Sequence, residues 1–179
     1  MHSTLNTWLK RGGLIAYATE SCFGLGCDPR NEKAIQKLLK LKQRDAAKGL
    51  ILIGSKAQQL TPFIAPLTPQ QHHKMRRAWP AAHTWLVPAN NACSPALTGG
   101  RDTIAVRVPA LAATRQLCQF AGMVLISTSA NISGQKAIKT HQACVRKFAG
   151  RVRIIHGKIG HWRKPSRIQD LISDKIIRK

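Results

Sequence analysis

Met123-Val124-Leu125-Ile126-Ser127-Thr128-Ser129-Ala130-Asn131-Ile132-Ser133-Gly134 is the stretch around which this chain is organised. The apolar run Met123 to Ile126 reads as a buried strand. Residues Ser127 to Gly134 pack hydroxyls and an amide carbonyl into a short loop closed by a glycine. Side chains of this kind hydrogen-bond nearby backbone, leave main-chain amides pointing outward and can cradle an anion. The same composition also serves a loop whose hydroxyls only satisfy their own turn. Taken alone, the stretch leaves both readings open.

On its N-terminal side, Asp102 to Val108 alternates, with Ile104, Val106 and Val108 on a core face and Thr103, Ala105 and Arg107 on the other. Pro109 suits an early helix position, and Leu111, Leu117 and Cys118 carry a helix to Phe120. Beyond the loop, Thr140 can cap a helix through Phe148, Arg151 to Ile155 is strand-like, and Ile168 to Ile172 and Ile176-Ile177 form two short strands. At the other end, Ser3 to Arg11 reads as a helix stopped by Gly12-Gly13, followed by the strand Leu14 to Tyr17. Ala18 to Asp28 is read as a polar, glycine-bearing loop. Its Gly24-x-Gly26 is only a fragment of a dinucleotide fingerprint and carries no Rossmann site.

Asn31 to Lys42 traces an amphipathic helix with a basic last turn, and Lys42, Arg44 and Lys48 arrive just before the strand Leu50 to Ile53. These cations either converge on a phosphate chain or complement the helix end. Short helices broken by Pro62, Pro66 and Pro69 fill the middle, with a basic cluster from His72 to Arg77. His83 to Val87 is β-prone, and Pro88 to Gly100 is an irregular connection. Irregular alternation of strands and helices predicts an α/β (α+β) fold, a mixed sheet flanked by helices, in one domain over residues 1–179.

With 29 Lys plus Arg against 7 Asp plus Glu, the net charge of +22 favours polyanionic partners, nucleotide or nucleic acid. The few acids show no glycosidase pair and no metal-binding DxD, and the histidines no HExxH, so no protein metal site is expected. Cys22, Cys27, Cys93, Cys118 and Cys144 lack a C-x-x-C and read as reduced packing residues. The longest apolar runs reach about half the ~20 residues of a membrane span. Met1 to Trp8 lacks the basic head and apolar stretch of a secretory signal, so a cytoplasmic protein is expected.

The order of Ile15-Ala16-Tyr17-Ala18-Thr19-Glu20, Phe23 to Asp28, Leu41-Lys42-Gln43-Arg44, Lys48 to Ile53, Trp79-Pro80, Asp102 to Val108 and Ser127 to Gly134 resembles the YrdC/TsaC family of threonylcarbamoyl-AMP synthases over nearly the whole chain. The resemblance implies a twisted mixed sheet with a basic concave cleft. It also implies condensation of L-threonine, bicarbonate and ATP into threonylcarbamoyl-AMP with release of pyrophosphate, for modification of tRNA beside the anticodon. Mg²⁺ would travel on the nucleotide. Carried over by motif, Lys42 and Arg44 would be catalytic, and together with Lys48 would hold the ATP phosphates. Thr103, Ser129, Asn131 and Arg178 would contact the nucleotide. Arg107 would pair with the threonine carboxylate from an exposed strand face, and Thr19, Ser21, Ser127 and Ser166 would line the amino-acid pocket. The chain's length implies the form without an extra C-terminal domain.

Departures from the pattern are Ala18 for a usual proline, Ser21 for threonine, Asp45 after Lys-Gln-Arg, and Ala81-Ala82-His83 after Trp79-Pro80. Asp45 raises the expectation of a carboxylate partly cancelling the phosphate-binding cations. The competing reading is a non-catalytic tRNA- or rRNA-binding protein that keeps the fold. The tRNA threonylcarbamoyl-transferase complex is a further expected partner.

Overall fold

The computed structural model describes residues 4–179, so Ser3, where the first helix was expected to begin, lies outside the described residues. Thr4 caps α1 (Leu5–Lys10) by accepting from the Thr7 amide. Then come β1 (Ile15–Ala18), β2 (Phe23–Gly26), α2 (Glu32–Lys42), β3 (Ile51–Ile53), α3 (Ala57–Leu60), α4 (Pro69–Arg77) and β4 (His83–Pro88). The chain continues through α5 (Pro95–Thr98), β5 (Thr103–Arg107), α6 (Ala112–Ala121), β6 (Leu125–Ser129), α7 (His141–Phe148), β7 (Arg153–Ile154), β8 (Arg167–Asp170) and β9 (Ile176–Arg178). The strands form one mixed sheet in the order β7-β1-β2-β6-β3-β5-β4-β8-β9. Parallel pairs (β1/β7, β3/β5, β4/β8) are set among antiparallel ones. No helix among the described residues is long and apolar enough to cross a membrane.

The expected α/β (α+β) fold class is therefore observed, and three local expectations are corrected. Phe23 to Gly26 is a strand, not loop. Its glycines are required by close approach: a Cβ on Gly26 would stand 2.1 Å from the Ile126 carbonyl oxygen. Ser127 to Ser129 continue β6, pairing with Ile51 of β3 and Gly24 of β2, so the polar stretch begins inside the sheet. Within Pro88 to Gly100 the chain turns a short helix, because Ser94 accepts from the Ala96 amide and Pro95 occupies the first turn.

Strand alternation then divides the core. Leu52, Val106 and Ile126 are register neighbours on one face and are fully buried with Ala34, Ile35 and Leu38 of α2. On the other face Ile15, Tyr17, Ile53 and Leu125 meet Leu9 of α1 and Leu117, Cys118 and Ala121 of α6. That second layer covers only one end of its face; Ile51, Arg107 and Ser127, on the same face, line an open cleft.

Cys27, Cys118 and Cys144 are buried and all five cysteines are free. Burial pushes the thiols of Cys27, Cys118 and Cys144 up, Cys118 to about 12, so these three pack as small apolar groups.

Candidate active site

The helix end beside the cleft sorts two neighbouring cations into different tasks. Gln43 ends α2 in the left-handed region at φ 48, which turns the chain sharply after Lys42. Lys42 is 2% exposed. Its Nζ donates to the Ser129 carbonyl, to the Asn131 carbonyl at 2.8 Å and to Asn131 Oδ1 at 3.2 Å. Burial first, and the nearby Arg44 second, lower its ammonium to about 8. Arg44 instead lines the cleft. Its Nη2 donates to the Gly49 carbonyl at 2.9 Å, and its buried Nε has no hydrogen-bond partner.

Asp45 caps the 3₁₀ turn Ala46–Lys48 through the Ala47 amide at 2.9 Å. It forms no ion pair among the described residues. Its field opposes the lowering of Arg44 by burial, the partial cancellation expected of it, but its oxygen is committed to backbone.

The cleft encloses about 320 Å³ over the centre of the sheet. Five cationic side chains border it: Arg44, Arg107, Lys139, Arg163 and Arg178. Burial, then the positive fields of Arg107 and Arg44, lower the Arg178 guanidinium, a sign that these charges repel one another across the cleft. Arg107 does not stand on an exposed face as expected. It is buried and its Nη2 lies 3.3 Å from Glu20 Oε2, and the segment before Ser166 crosses the Thr19-Glu20 backbone through the Gly160 and Trp162 amides. Arg178 in β9 donates from Nε and Nη2 to the Ser166 carbonyl at 3.0 and 2.8 Å, and Ser166 Oγ lies 2.8 Å from Thr84 Oγ1.

Of the residues singled out from sequence, the fold brings Thr19, Ser21, Arg44, Arg107, Ser127, Ser129, Asn131, Ser166 and Arg178 to this cleft. Lys42, Lys48 and Thr103 are not among its lining. Lys42 sits behind the loop; Lys48 is exposed in the 3₁₀ turn; Thr103 begins β5 beside Pro88, away from the strand end that carries Arg107. Sequence reasoning missed Lys139, Arg163 and Glu20. The run His161-Trp162-Arg163-Lys164, one residue short of Ser166, was the available signal for Arg163. Lys139, on the connection after the loop, had none.

Hydroxyls from Thr19, Ser21, Ser127, Ser129 and Ser166 lie among the cations, and no carboxylate lines the cleft. Such a donor set suits an extended anion with hydroxyl and carbonyl groups. Among the described residues no group of three or more His, Cys, Asp or Glu is placed to hold a metal ion.

The family model Sua5/YciO/YrdC, described as telomere recombination, matches residues 7–179. A threonylcarbamoyl-AMP synthase of Thiobacillus denitrificans is 51% identical over 97% of this chain and 93% of its own length. One from Methylobacillus flagellatus is 50% identical over 97% of both. Among solved structures, P. abyssi Sua5 complexed with L-threonine superposes with a TM-score of 0.84 at 28% identity, covering 92% of this chain, which spans about half (49%) of the longer one. With matches to model, sequences and structure over nearly its full length, the chain belongs to the Sua5/YciO/YrdC family of threonylcarbamoyl-AMP synthases.

Proposed function

We propose that this chain, acting as one catalytic domain over residues 1–179, is a threonylcarbamoyl-AMP synthase that makes L-threonylcarbamoyladenylate and pyrophosphate from L-threonine, bicarbonate or CO₂, and ATP. The observation that carries the reading is the convergence of Arg44, Arg107, Lys139, Arg163 and Arg178 with serine and threonine hydroxyls on one cleft. The threonine amine adds to CO₂ and loses a proton, giving a carbamate. A carbamate oxygen then bonds to the α-phosphorus as the bond to pyrophosphate breaks, which makes the enzyme a nucleotidyltransferase.

Arg44, with Lys139, Arg163 and Arg178, receives the triphosphate and stabilises charge on the departing pyrophosphate. Ser129 and Asn131 contact the nucleotide. Arg107 receives the threonine carboxylate beside Thr19, Ser21 and Ser127, and the geometry supports a bracing role for Ser166. Lys42 acts from behind, holding the Ser129 and Asn131 backbone that faces the nucleotide. Lys48 and Thr103, the remaining nucleotide contacts suggested by the family pattern, would need the cleft to extend beyond its present lining. No covalent nucleophile is needed; positioning and charge supply the catalysis.

Mg²⁺ fits as an ion carried on the phosphates with its waters, since it demands few protein ligands and the lining offers oxygens without carboxylates. It would supply charge neutralisation at the phosphates. The product serves threonylcarbamoyladenosine formation in tRNA, in the cytoplasm, with the tRNA threonylcarbamoyl-transferase complex as its recipient.

RNA binding has its own support: a net charge of +22, and Trp162, 56% exposed, between His161 and Arg163 beside the cleft mouth. As the sole function it leaves the hydroxyl-and-arginine cleft unused, because backbone binding needs no such mixture. Incubation with ATP, L-threonine and labelled bicarbonate tests the proposal. The expected result is a labelled adenylate with one pyrophosphate each; RNA binding without pyrophosphate release would leave the competing reading standing.

A further inference from the structure

The acid that pairs with a cleft cation is Glu20, and it reaches Arg107 from a segment fixed on several sides. Its Oε2 faces Arg107 Nη2 at 3.3 Å, both side chains being 8% exposed. Its Oε1 accepts from the Ala110 amide at 2.8 Å, in the turn that follows β5. Arg115 braces the same turn, donating to the Pro109 and Ala110 carbonyls at 2.7 Å each. One carboxylate thus ties together the arginine on β5 and the backbone just beyond it.

The backbone of Glu20 is held equally. Thr19 and Glu20 accept through their carbonyls from the Gly160 and Trp162 amides at 2.9 and 3.1 Å. The approach is close enough that a Cβ on Gly160 would stand 2.9 Å from the Glu20 carbonyl oxygen. The segment before Ser166 therefore presses Glu20 against β5.

Arg107 nevertheless keeps donors to spare. Its Nε is buried and has no hydrogen-bond partner, and its side chain lines the cleft with Thr19 and Ser127. Left alone among Arg44 and Arg178, a guanidinium would turn away from its like-charged neighbours. Anchored by one nitrogen, it stays in the cleft with its remaining N–H groups uncommitted, and a carboxylate seated against it would give them an acceptor.

We infer that Glu20 is a positioning residue for the amino-acid substrate: it aims Arg107, without touching threonine itself, so that the guanidinium's uncommitted donors receive the threonine carboxylate. The inference rests on the proposed role of Arg107 as carboxylate receptor. It separates the two substrates, since Glu20 has no hydrogen bond to Arg44, Ser129 or Asn131 on the nucleotide side.

Glu20→Gln tests it. The amide keeps the size and an oxygen for the Ala110 amide, but turns a donor toward the Arg107 donor. Measured by calorimetric titration of the full chain at a temperature where the variant is folded, the Kd for L-threonine should rise about tenfold or more, while that for ATP stays within about twofold, whatever fall in Tm the weakened ion pair brings. Glu20→Asp, which keeps the charge at shorter reach, should recover part of the loss. In an Arg107→Met background the Glu20→Gln change should add less than about twofold to the threonine Kd.

Equal loss of ATP and threonine affinity would make Glu20 a general brace and overturn the inference. Unchanged threonine affinity in Glu20→Gln would overturn it too. Should Glu20→Gln fail to fold, Glu20→Asp decides, and wild-type threonine affinity there overturns the inference. If the wild-type chain itself binds no threonine, the proposed function falls with it, an outcome distinct from either.

Discussion

The two faces of β3, β5 and β6 are built from adjacent residues and do opposite things. Leu52, Val106 and Ile126 are fully buried against α2, whereas Ile51, Arg107 and Ser127, one step away on the same strands, border the cleft. The difference lies in what covers each face. Helix α2 spans one side, while α1 and α6 cover only the end of the other, around Ile53 and Leu125. Where that layer stops, arginines and hydroxyls can hold positions a complete core would exclude.

Breaking the covered face should cost the most. Leu52→Ala removes a fully buried side chain and is expected to lower unfolding stability by about 2–5 kcal/mol in urea titration, with residual activity following the folded fraction. On the cleft face the pattern inverts. Arg44→Ala is expected to cut threonine- and bicarbonate-dependent pyrophosphate release about 100-fold or more while stability changes little, because its lost partner is a single carbonyl and its Nε is already unbonded. Wild-type turnover in that variant would remove Arg44 from the chemistry.

Lys42 joins the two faces and offers a pH test. Its folded value of about 8 lies below the ordinary lysine value of 10.5. Between the two the unfolded chain holds the extra proton, so the contribution of Lys42 to stability should rise with pH across that window. Meanwhile the ammonium facing Ser129 and Asn131 is lost, and activity should fall above about pH 8. The buried thiols, pushed up by burial, pull Tm the other way above about pH 9, so the Lys42 part is read from the Tm of the wild type relative to Lys42→Met, which should rise over that range while wild-type turnover falls. Parallel trends would deny Lys42 its bracing role. The smallest expected effect is at the cleft wall: Ser166→Ala leaves the Thr84 hydroxyl without its partner, for about 1 kcal/mol in thermal unfolding.

Much of the fold was legible because burial repeats at strand and helix periods. Ala34, Ile35, Leu38 and Leu39 announced the inner face of α2, and Ile104, Val106 and Val108 that of β5 and its exit. Phe23 to Gly26 was not legible as a strand, since glycine has no β preference of its own; the nearby Tyr17 ring and Ile126 carbonyl select it. Most of the candidate site was readable too, because its hydroxyls and arginines stand at strand ends in a recognisable order. Lys139 and Arg163 were hidden among the surface cations of a basic chain, from which only spatial convergence distinguishes them.

What the amino-acid order determined by itself is most of the elements, the basic character and the family, all of which depend on local pattern and on motifs kept in series. Tertiary structure alone decided direction and partnership. It sent Lys42 behind the loop and Arg44 into the cleft, and it paired Arg107 with Glu20. The physical reason is that a charge's role depends on which dipoles and charges surround it once water is removed. Those neighbours come from β1, β5, β6 and the segment before Ser166, distant in sequence and joined only by the fold.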